Sequence, residues 1–238
     1  MSRARIAVLA SGSGSNLQAL IDHFGALGAA RAGDIVIVAS NRADAGALER
    51  AARAGIVTHS VSGDGALADL LAAQRIDLVV LAGYLKLVPR DVTQRFAGRM
   101  INVHPAPLPA FGGAGMYGAR AHRAVLASGA STSGPTVHFV DEIFDHGTII
   151  AHWPVPVLAG DDEYVLAARV LRAEHLLFPR VVQAVASGVV SLDSAGHLSG
   201  PLYRSSLEPF DPSCSDAVLA ARLDASLTSR VSTLEGER

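Results

Sequence analysis

The sequence predicts an α/β protein built on a doubly wound, mostly parallel sheet. Three observations carry that reading. Short apolar runs recur through the N-terminal half: Ile6-Ala7-Val8-Leu9-Ala10, Ile35 to Ala39, Ile76 to Leu81 and Met100 to Val103. Segments of helical periodicity separate them, and such alternation is the pattern of parallel β-α-β units. A glycine-rich turn, Ser11-Gly12-Ser13-Gly14-Ser15-Asn16, joins the first run to the first helix. That junction is where open parallel sheets place ligands, so the N-terminal half is Rossmann-like.

Each element follows in order. After Ile6 to Ala10, residues Leu17, Leu20, Ile21 and Phe24 give a helix one apolar face. Ile35 to Ala39 is the second strand, and an Ala-rich helix runs to Ala54-Gly55. Val57 to Val61 is extended, Ala66 to Gln74 helical, and Ile76 to Leu81 the next strand. Pro89 to Phe96 is a short helix, and Met100 to Val103 a strand ending at His104. Pro107, Pro109, Gly112, Gly113, Gly115 and Gly118 then make an ordered but irregular loop. A helix near Ala121 to Ala127 precedes the strand Thr136 to Val140, with Ile149 to Val157 as its hairpin partner. Asp161 or Asp162 caps a long amphipathic helix through Glu174 to Val185, which Ser187-Gly188 ends. Val189 to Leu192 is a last short strand. From about Glu208 the chain turns polar, with a weak helix over Ser215 to Leu227 and a frayed end.

Composition narrows the function. The 238 residues, half of them hydrophobic, suffice for one large domain or two tightly packed halves. With only 5% aromatic residues, Ala, Val and Leu must fill the core. No apolar run approaches the roughly 18–20 residues that span a bilayer. The start is too short for a signal peptide. Cys214 is the only cysteine, which excludes an intrachain disulfide and a thiolate metal cage. A cytoplasmic protein is the expectation. A net charge of −2 without a dense basic stripe argues against nucleic acid and membrane partners, and leaves room for one locally held phosphate. Lys86 is the only lysine.

Four sites carry chemistry. At Gly12-Ser13-Gly14-Ser15-Asn16 the unpaired N–H groups and positive helix end suit a phosphate. The motif lacks the Walker Gly-Lys-Ser/Thr, and Leu17 stands at the third glycine of a dinucleotide fingerprint. A tight turn with Ser15 or Asn16 as helix N-cap is the other reading. Asn102 and His104 alternate along one strand, so both face one side at its carboxyl end. There an amide and an imidazole suit acyl transfer, one donating to an oxyanion and the other moving a proton. A cap and a satisfied core histidine are the alternative, against which Pro105 weighs by stopping the strand at the His. Asp145, before His146-Gly147, either orients that imidazole or forms an Asx-turn. His138 is a catalytic neighbour or a core histidine bonded to backbone. The histidine spacings suggest no zinc, so no metal is expected.

Taken together, these motifs resemble the folate-dependent phosphoribosylglycinamide formyltransferase family. The resemblance runs from Ile6 to about Gly188. It rests on Ser11 to Gln18, Ser40-Asn41-Arg42-Ala43-Asp44-Ala45, Val80-Leu81-Ala82-Gly83-Tyr84, Ile101 to Pro105, Thr136 to Val140 and Asp145-His146-Gly147, all in family order. It implies a formyltransferase fold, with residues 1–200 the catalytic domain and 201–238 a C-terminal extension. Within the domain, 1–100 is the phosphate-binding half and 101–200 the catalytic and folate half. It implies Asn102, His104 and Asp145 as the catalytic trio, and Gly14, Ser15, Asn16 and Glu174 as holding the ribonucleotide. The implied folate pocket is Leu85, Lys86, Leu87 and Val88 with Asn102 and Asp141, Glu142, Ile143, Phe144 and Asp145. The implied reaction passes the formyl group of 10-formyltetrahydrofolate, as co-substrate, to the amine of 5-phosphoribosylglycinamide in purine biosynthesis. Partners are small molecules, and the protein is a monomer or homodimer.

Three departures stand out. Ser62-Gly63-Asp64-Gly65-Ala66 is short and lacks an Arg that the family often carries near there, a folate contact. The loop Phe111 to Gly118 is long, as in one subgroup, but Arg120 replaces a histidine common there. The tail exceeds the usual core. Arg120 is either a solvated helix-start residue or a second contact to phosphate or folate carboxylates. Related chemistries compete with this reading. A tRNA formyltransferase adds a basic C-terminal domain that this tail does not supply. A formyltetrahydrofolate deformylase usually precedes its catalytic fold with a regulatory domain, whereas here the fold begins at Ile6. A nucleotide-binding module without catalysis is the third alternative.

Overall fold

The computed structural model describes residues 2–61, 65–193, 195–200 and 207–235. Strands and helices alternate through the N-terminal half: β1 (Ala4–Leu9), α1 (Ser15–Leu27), β2 (Gly33–Ser40), α2 (Gly46–Arg53), β3 (Val57–Ser60), α3 (Ala66–Ala73), β4 (Leu78–Leu81), α4 (Arg90–Arg95) and β5 (Met100–His104). The remainder comprises α5 (Ala119–Ala127), β6 (Thr132–Ser133), β7 (Thr136–Phe139), β8 (Ile149–His152), β9 (Val155–Pro156), α6 (Glu163–Ala186), β10 (Ser191–Leu192), β11 (Leu198–Ser199) and α7 (Asp216–Glu235). The main sheet has seven strands in the order β3-β2-β1-β4-β5-β7-β8. Pairing is parallel from β3 to β5 and antiparallel from β5 through β7 to β8.

The strands of the parallel part are apolar on both sides because helices cover both faces. One face packs Leu17, Leu20 and Phe24 of α1 against Leu177, Phe178 and Val181 of α6. The other packs Leu67 and Leu71 of α3 with Val92 and Phe96 of α4. Asp162 caps α6, its carboxylate accepting from the N–H groups of Tyr164 and Val165. Asp161 instead pairs with Arg169 at 2.6 Å. Among the described residues no helix is long and apolar enough to cross a membrane.

Two strand expectations need correction. Ile149 to Val157 is not one hairpin partner: β8 follows β7 only to His152, and Val155-Pro156 pairs with Thr132-Ser133 in a separate ribbon. Pro154 has no N–H to continue the ladder, so the chain leaves the sheet there. In Val189 to Leu192 only the last two residues are extended, and they pair with β11 rather than joining the main sheet. The tail is also more structured than its composition suggests. Phe210, Leu219 and Leu223 are buried in the α1–α6 core, and α7 extends beyond the expected Leu227 to Glu235. The Trp153 indole N–H donates to the Glu208 carbonyl at 2.9 Å, and the ring meets Phe210 edge-on at 5.2 Å. Arg172 and Arg180 of α6 reach Asp216 and Asp224 of α7 at 2.8 and 2.7 Å. Residues 236–238, part of the expected frayed end, lie outside the described residues.

Candidate active site

Strand order reverses between β1 and β4, and the crevice beyond their carboxyl ends is the natural ligand site of such a sheet. Ser11 ties its walls together. Its hydroxyl donates to Asn41 Oδ1 at 2.6 Å and accepts from the Leu85 N–H at 2.9 Å. The motifs at Ser40-Asn41 and Leu81-Ala82-Gly83-Tyr84 are therefore one structural unit.

The glycine-rich turn enters α1 through Gly14, which has φ 77°. A side chain there would also lie 2.6 Å from the Ala47 Cα, so both backbone and packing require glycine. Gly14 itself is the N-cap and no side chain caps the helix. The expectation that Ser15 or Asn16 does so is corrected: both are already helical, and their side chains leave the axis. Ser15 borders a groove between α1, α2 and α6, whereas Asn16 lines the main pocket. The first turn holds no acidic residue, so its positive end is uncompensated.

At the other end of the pocket stands a four-residue cluster. Asn102 of β5 lies opposite His138 of β7 in register. Its Nδ2 donates to His138 Nε2 at 3.1 Å and approaches Asp145 Oδ1 at 3.4 Å. His138 Nδ1 donates to the Phe139 carbonyl at 2.7 Å, which leaves Nε2 as the acceptor Asn102 needs. His138 is thus a buried, backbone-bonded histidine that also touches the cluster. His104 Nδ1 lies 3.4 Å from Asp145 Oδ2, and Nε2 lies 2.7 Å from the Phe111 carbonyl. Both ring nitrogens face acceptors, and only a doubly protonated ring donates to both.

Asp145 is bent for this position, with φ 56°, a conformation uncommon outside glycine. Gly147 makes the bend feasible, since a side chain there would collide with the Phe139 carbonyl. Burial pushes the Asp145 carboxyl up. Hydrogen bonds from His104 and the Gly113 N–H, with the charge of His104, outweigh burial and hold it well below the usual carboxylate range.

The pocket, about 430 Å³, runs from this cluster to α1 and α6. Glu174 of α6 lies at its far end, accepting from Asn16 Nδ2 at 2.6 Å. Burial pushes its carboxyl up to about 7, against the pull of Asn16 and His104. His122 of α5 was missed by sequence reasoning, since its only signal was a histidine opening an amphipathic helix. It is 4% exposed, lines the pocket, and is lowered to about 4 by burial and by the charge of His104. Asn16 Oδ1 and His122 Nδ1 are buried without a hydrogen-bond partner.

Of the other candidates, Leu85 and Phe144 line the main pocket. Lys86, Leu87, Val88, Asp141 and Ile143 line an adjoining cleft of about 60 Å³ that also touches Asn102, His138 and Asp145. Glu142 does not join them: it turns outward to Arg90 at 2.9 Å and Gln94 at 2.8 Å. Arg120 is not among the residues that line the pocket; its guanidinium lies over the ring of the pocket-lining Tyr117, 5.5 Å from the centroid. Residues 62–64, in the shortened segment without Arg, lie outside the described residues. Among the described residues no three His, Cys, Asp or Glu side chains are grouped to hold a metal ion.

Comparison with known proteins gives this geometry its context. The formyl transferase family model matches residues 4–182. The chloroplastic phosphoribosylglycinamide formyltransferase of Arabidopsis thaliana is 44% identical over 193 residues, covering 77% of this chain and 65% of that protein. The chain thus spans slightly under two thirds of that relative. The crystal structure of glycinamide ribonucleotide transformylase 1 from Symbiobacterium toebii superposes with a TM-score of 0.75 at 39% identity, covering 83% of this chain and 93% of that one. A formyltetrahydrofolate deformylase from Pseudomonas syringae, at 23% identity and TM-score 0.74, covering 84% of this chain and 66% of its own, shares the fold.

Proposed function

The chain belongs to the formyl transferase family, among the phosphoribosylglycinamide formyltransferases, and we propose that it carries out their namesake reaction: transfer of the formyl group of 10-formyltetrahydrofolate to the amine of 5-phosphoribosylglycinamide, a step of purine biosynthesis. The observation that supports this best is one pocket with His104, Asp145 and Asn102 at one end and the uncapped α1 turn with Glu174 at the other.

In this reading the neutral substrate amine attacks the formyl carbon, whose oxygen gains negative charge. His104, doubly protonated between Asp145 and its outer acceptor, turns its Nε2–H from the Phe111 carbonyl to that oxygen. Asn102 releases its longer contact, the one to Asp145, and donates beside it. Loss of one such donor costs about 3–4 kcal/mol of transition-state stabilisation. Asp145 holds the imidazolium charge and, directly or through water, relays the proton from the attacking amine to the departing folate nitrogen. The bond formed is amine N to formyl C, and the bond broken is formyl C to folate N10. No covalent enzyme intermediate is needed. Lys86, Leu87, Val88, Asp141 and Ile143, beside the cluster, frame the folate, and Ser15, Asn16 and Glu174 hold the ribonucleotide.

The deciding assay supplies the folate with and without 5-phosphoribosylglycinamide. Consumption that depends on the amine supports transfer. Equal consumption without it means hydrolysis, and none in either case leaves a binding module.

A further inference from the structure

Three polar side chains of the main pocket stand outside both the catalytic cluster and the Asn16–Glu174 pair: Tyr84, Tyr117 and His122. Tyr84 is half-buried, and Tyr117 is exposed with Arg120 over its ring. His122 alone of the three is buried. It shares the inner face of α5 with Ala121 and Val125, where packing by itself calls for another apolar residue. Helix α5 packs against α6, whose other contributions to the pocket besides Glu174 are apolar: Ala167, Ala168 and Leu171. His122 is also near enough to His104 to feel its charge. A ligand reaching from His104 to Glu174 thus shares the pocket with a buried imidazole that no protein group engages.

Neither ring nitrogen of His122 meets a hydrogen-bond partner among the described residues. Nδ1 is the nitrogen shut off from solvent, whereas Nε2 is not sealed and opens on the pocket that the ring lines. That asymmetry selects the tautomer. A buried N–H without an acceptor is rarer and costlier than a buried lone pair without a donor, so the proton resides on Nε2. Burial, helped by the charge of His104, keeps the ring neutral. His122 is therefore a neutral N–H donor, held on a helix and aimed into the pocket. A bond made at Nε2 offsets the cost of leaving Nδ1 bare.

In the substrate of the proposed reaction a carboxamide, CH2–C(=O)–NH, joins the reacting amine to the ribose. With the amine at His104 and the ribose at Glu174, that carboxamide crosses the stretch of pocket where α5 faces α6. Its oxygen needs a donor there, because an amide oxygen left unpaired against an apolar wall is costly. Ala167, Ala168 and Leu171 supply none. A neutral donor suits the place, since a second imidazolium would repel the amine as it gains positive charge on attack. We propose that His122 Nε2–H donates to the carboxamide oxygen, and so determines specificity for a glycinamide arm over an amine carried on a plain alkyl chain. This rests on the proposed formyl transfer for the identity of that arm.

The test uses the full chain. Calorimetry without folate measures binding of 5-phosphoribosylglycinamide and of a carbocyclic analogue whose arm carries a methylene in place of the carbonyl. His122→Phe is expected to weaken the carboxamide ligand about 5- to 50-fold and the methylene ligand by less than about twofold. In steady state the loss should fall on KM for the ribonucleotide, with kcat within about threefold of wild type. Nitrogen-15 NMR of His122 in the wild type needs no variant to fold. It should show a neutral ring with the proton on Nε2, and that proton should shift downfield when the ribonucleotide binds. Unchanged affinity in His122→Phe, equal losses on the two ligands, a loss confined to kcat, an Nδ1–H tautomer or an unmoved Nε2–H would each overturn the assignment. Binding that depends on both His122 and the carbonyl, in a protein that transfers no formyl group, would uphold it and sink the proposed reaction instead.

Discussion

The two ends of the pocket are built on opposite plans. At the β5–β7 end, Asn102, His138, His104 and Asp145 satisfy one another and nearby backbone carbonyls. At the α1–α6 end, Asn16 Oδ1 and His122 Nδ1 are buried with no protein partner, and Glu174 is a carboxyl pushed far from its ordinary value. Unsatisfied buried polar atoms cost free energy, so a fold keeps them where a ligand supplies the missing bonds. The difference teaches how the labour is divided. Groups that must be oriented for a transition state are held by each other, and groups that must grip a polar substrate are left open to it.

The largest expected effect comes from breaking the self-satisfied end. Asp145→Asn should lower turnover by about 10³-fold in a folded protein, since His104 loses the carboxylate that holds its charge. Single-turnover rates at saturating concentrations of both substrates measure this, and a rate within threefold of wild type would remove Asp145 from the mechanism. At the open end, Ser15→Asp places a negative charge at the uncapped turn. It should weaken the ribonucleotide by about 100-fold with little change for the folate. Calorimetry showing equal losses for the two would mean the turn is not the phosphate site.

The third prediction sharpens the contrast through stability. Burial raises Glu174 from 4.5 to about 7, so the native state holds a proton the unfolded chain has released across that window. Stability therefore falls as pH rises from 4.5 to 7, and above 7 the deficit is about 3 kcal/mol. Glu174→Gln keeps an acceptor for Asn16 and removes the ionisation. Its melting temperature should exceed the wild type's at pH 8 and converge with it near pH 4.5. A difference independent of pH would show that the carboxyl does not titrate as placed. The smallest effect belongs to Arg120, which is stacked on the pocket-lining Tyr117 but does not itself line the pocket. Arg120→Ala should change either KM by less than about twofold. Hydrogen exchange over Phe111 to Gly118 should nevertheless change when both substrates bind, because the Phe111 carbonyl must leave His104. Identical protection with and without them would contradict that movement.

Much of this was legible in the sequence, for identifiable reasons. Alternating apolar runs and helical periods gave the parallel sheet, because burial on both faces leaves little freedom in composition. Asn102 and His104 were visible as a pair because strand geometry puts alternate residues on one side. His122 and the outward turn of Glu142 were not, because helical and loop residues of those types occur equally on solvated faces. The Gly14–Ala47 contact was hidden too: it joins a turn to a helix far apart in sequence, and only the tertiary approach shows why that glycine carries no side chain. The break at Pro154 was readable in principle, but an apolar run on both sides of it masked the change of partner.

One further consequence lies in the docking of the tail. The protein has a single tryptophan, and that indole donates to Glu208 and packs against Phe210 of the C-terminal extension. Intrinsic fluorescence is therefore a built-in reporter of one event, the peeling of the extension from the core, with no other indole to blur it. A red shift that precedes the loss of helical circular dichroism in rising urea would mark the extension as the first part to detach. Coincident transitions would mark it as part of the cooperative unit.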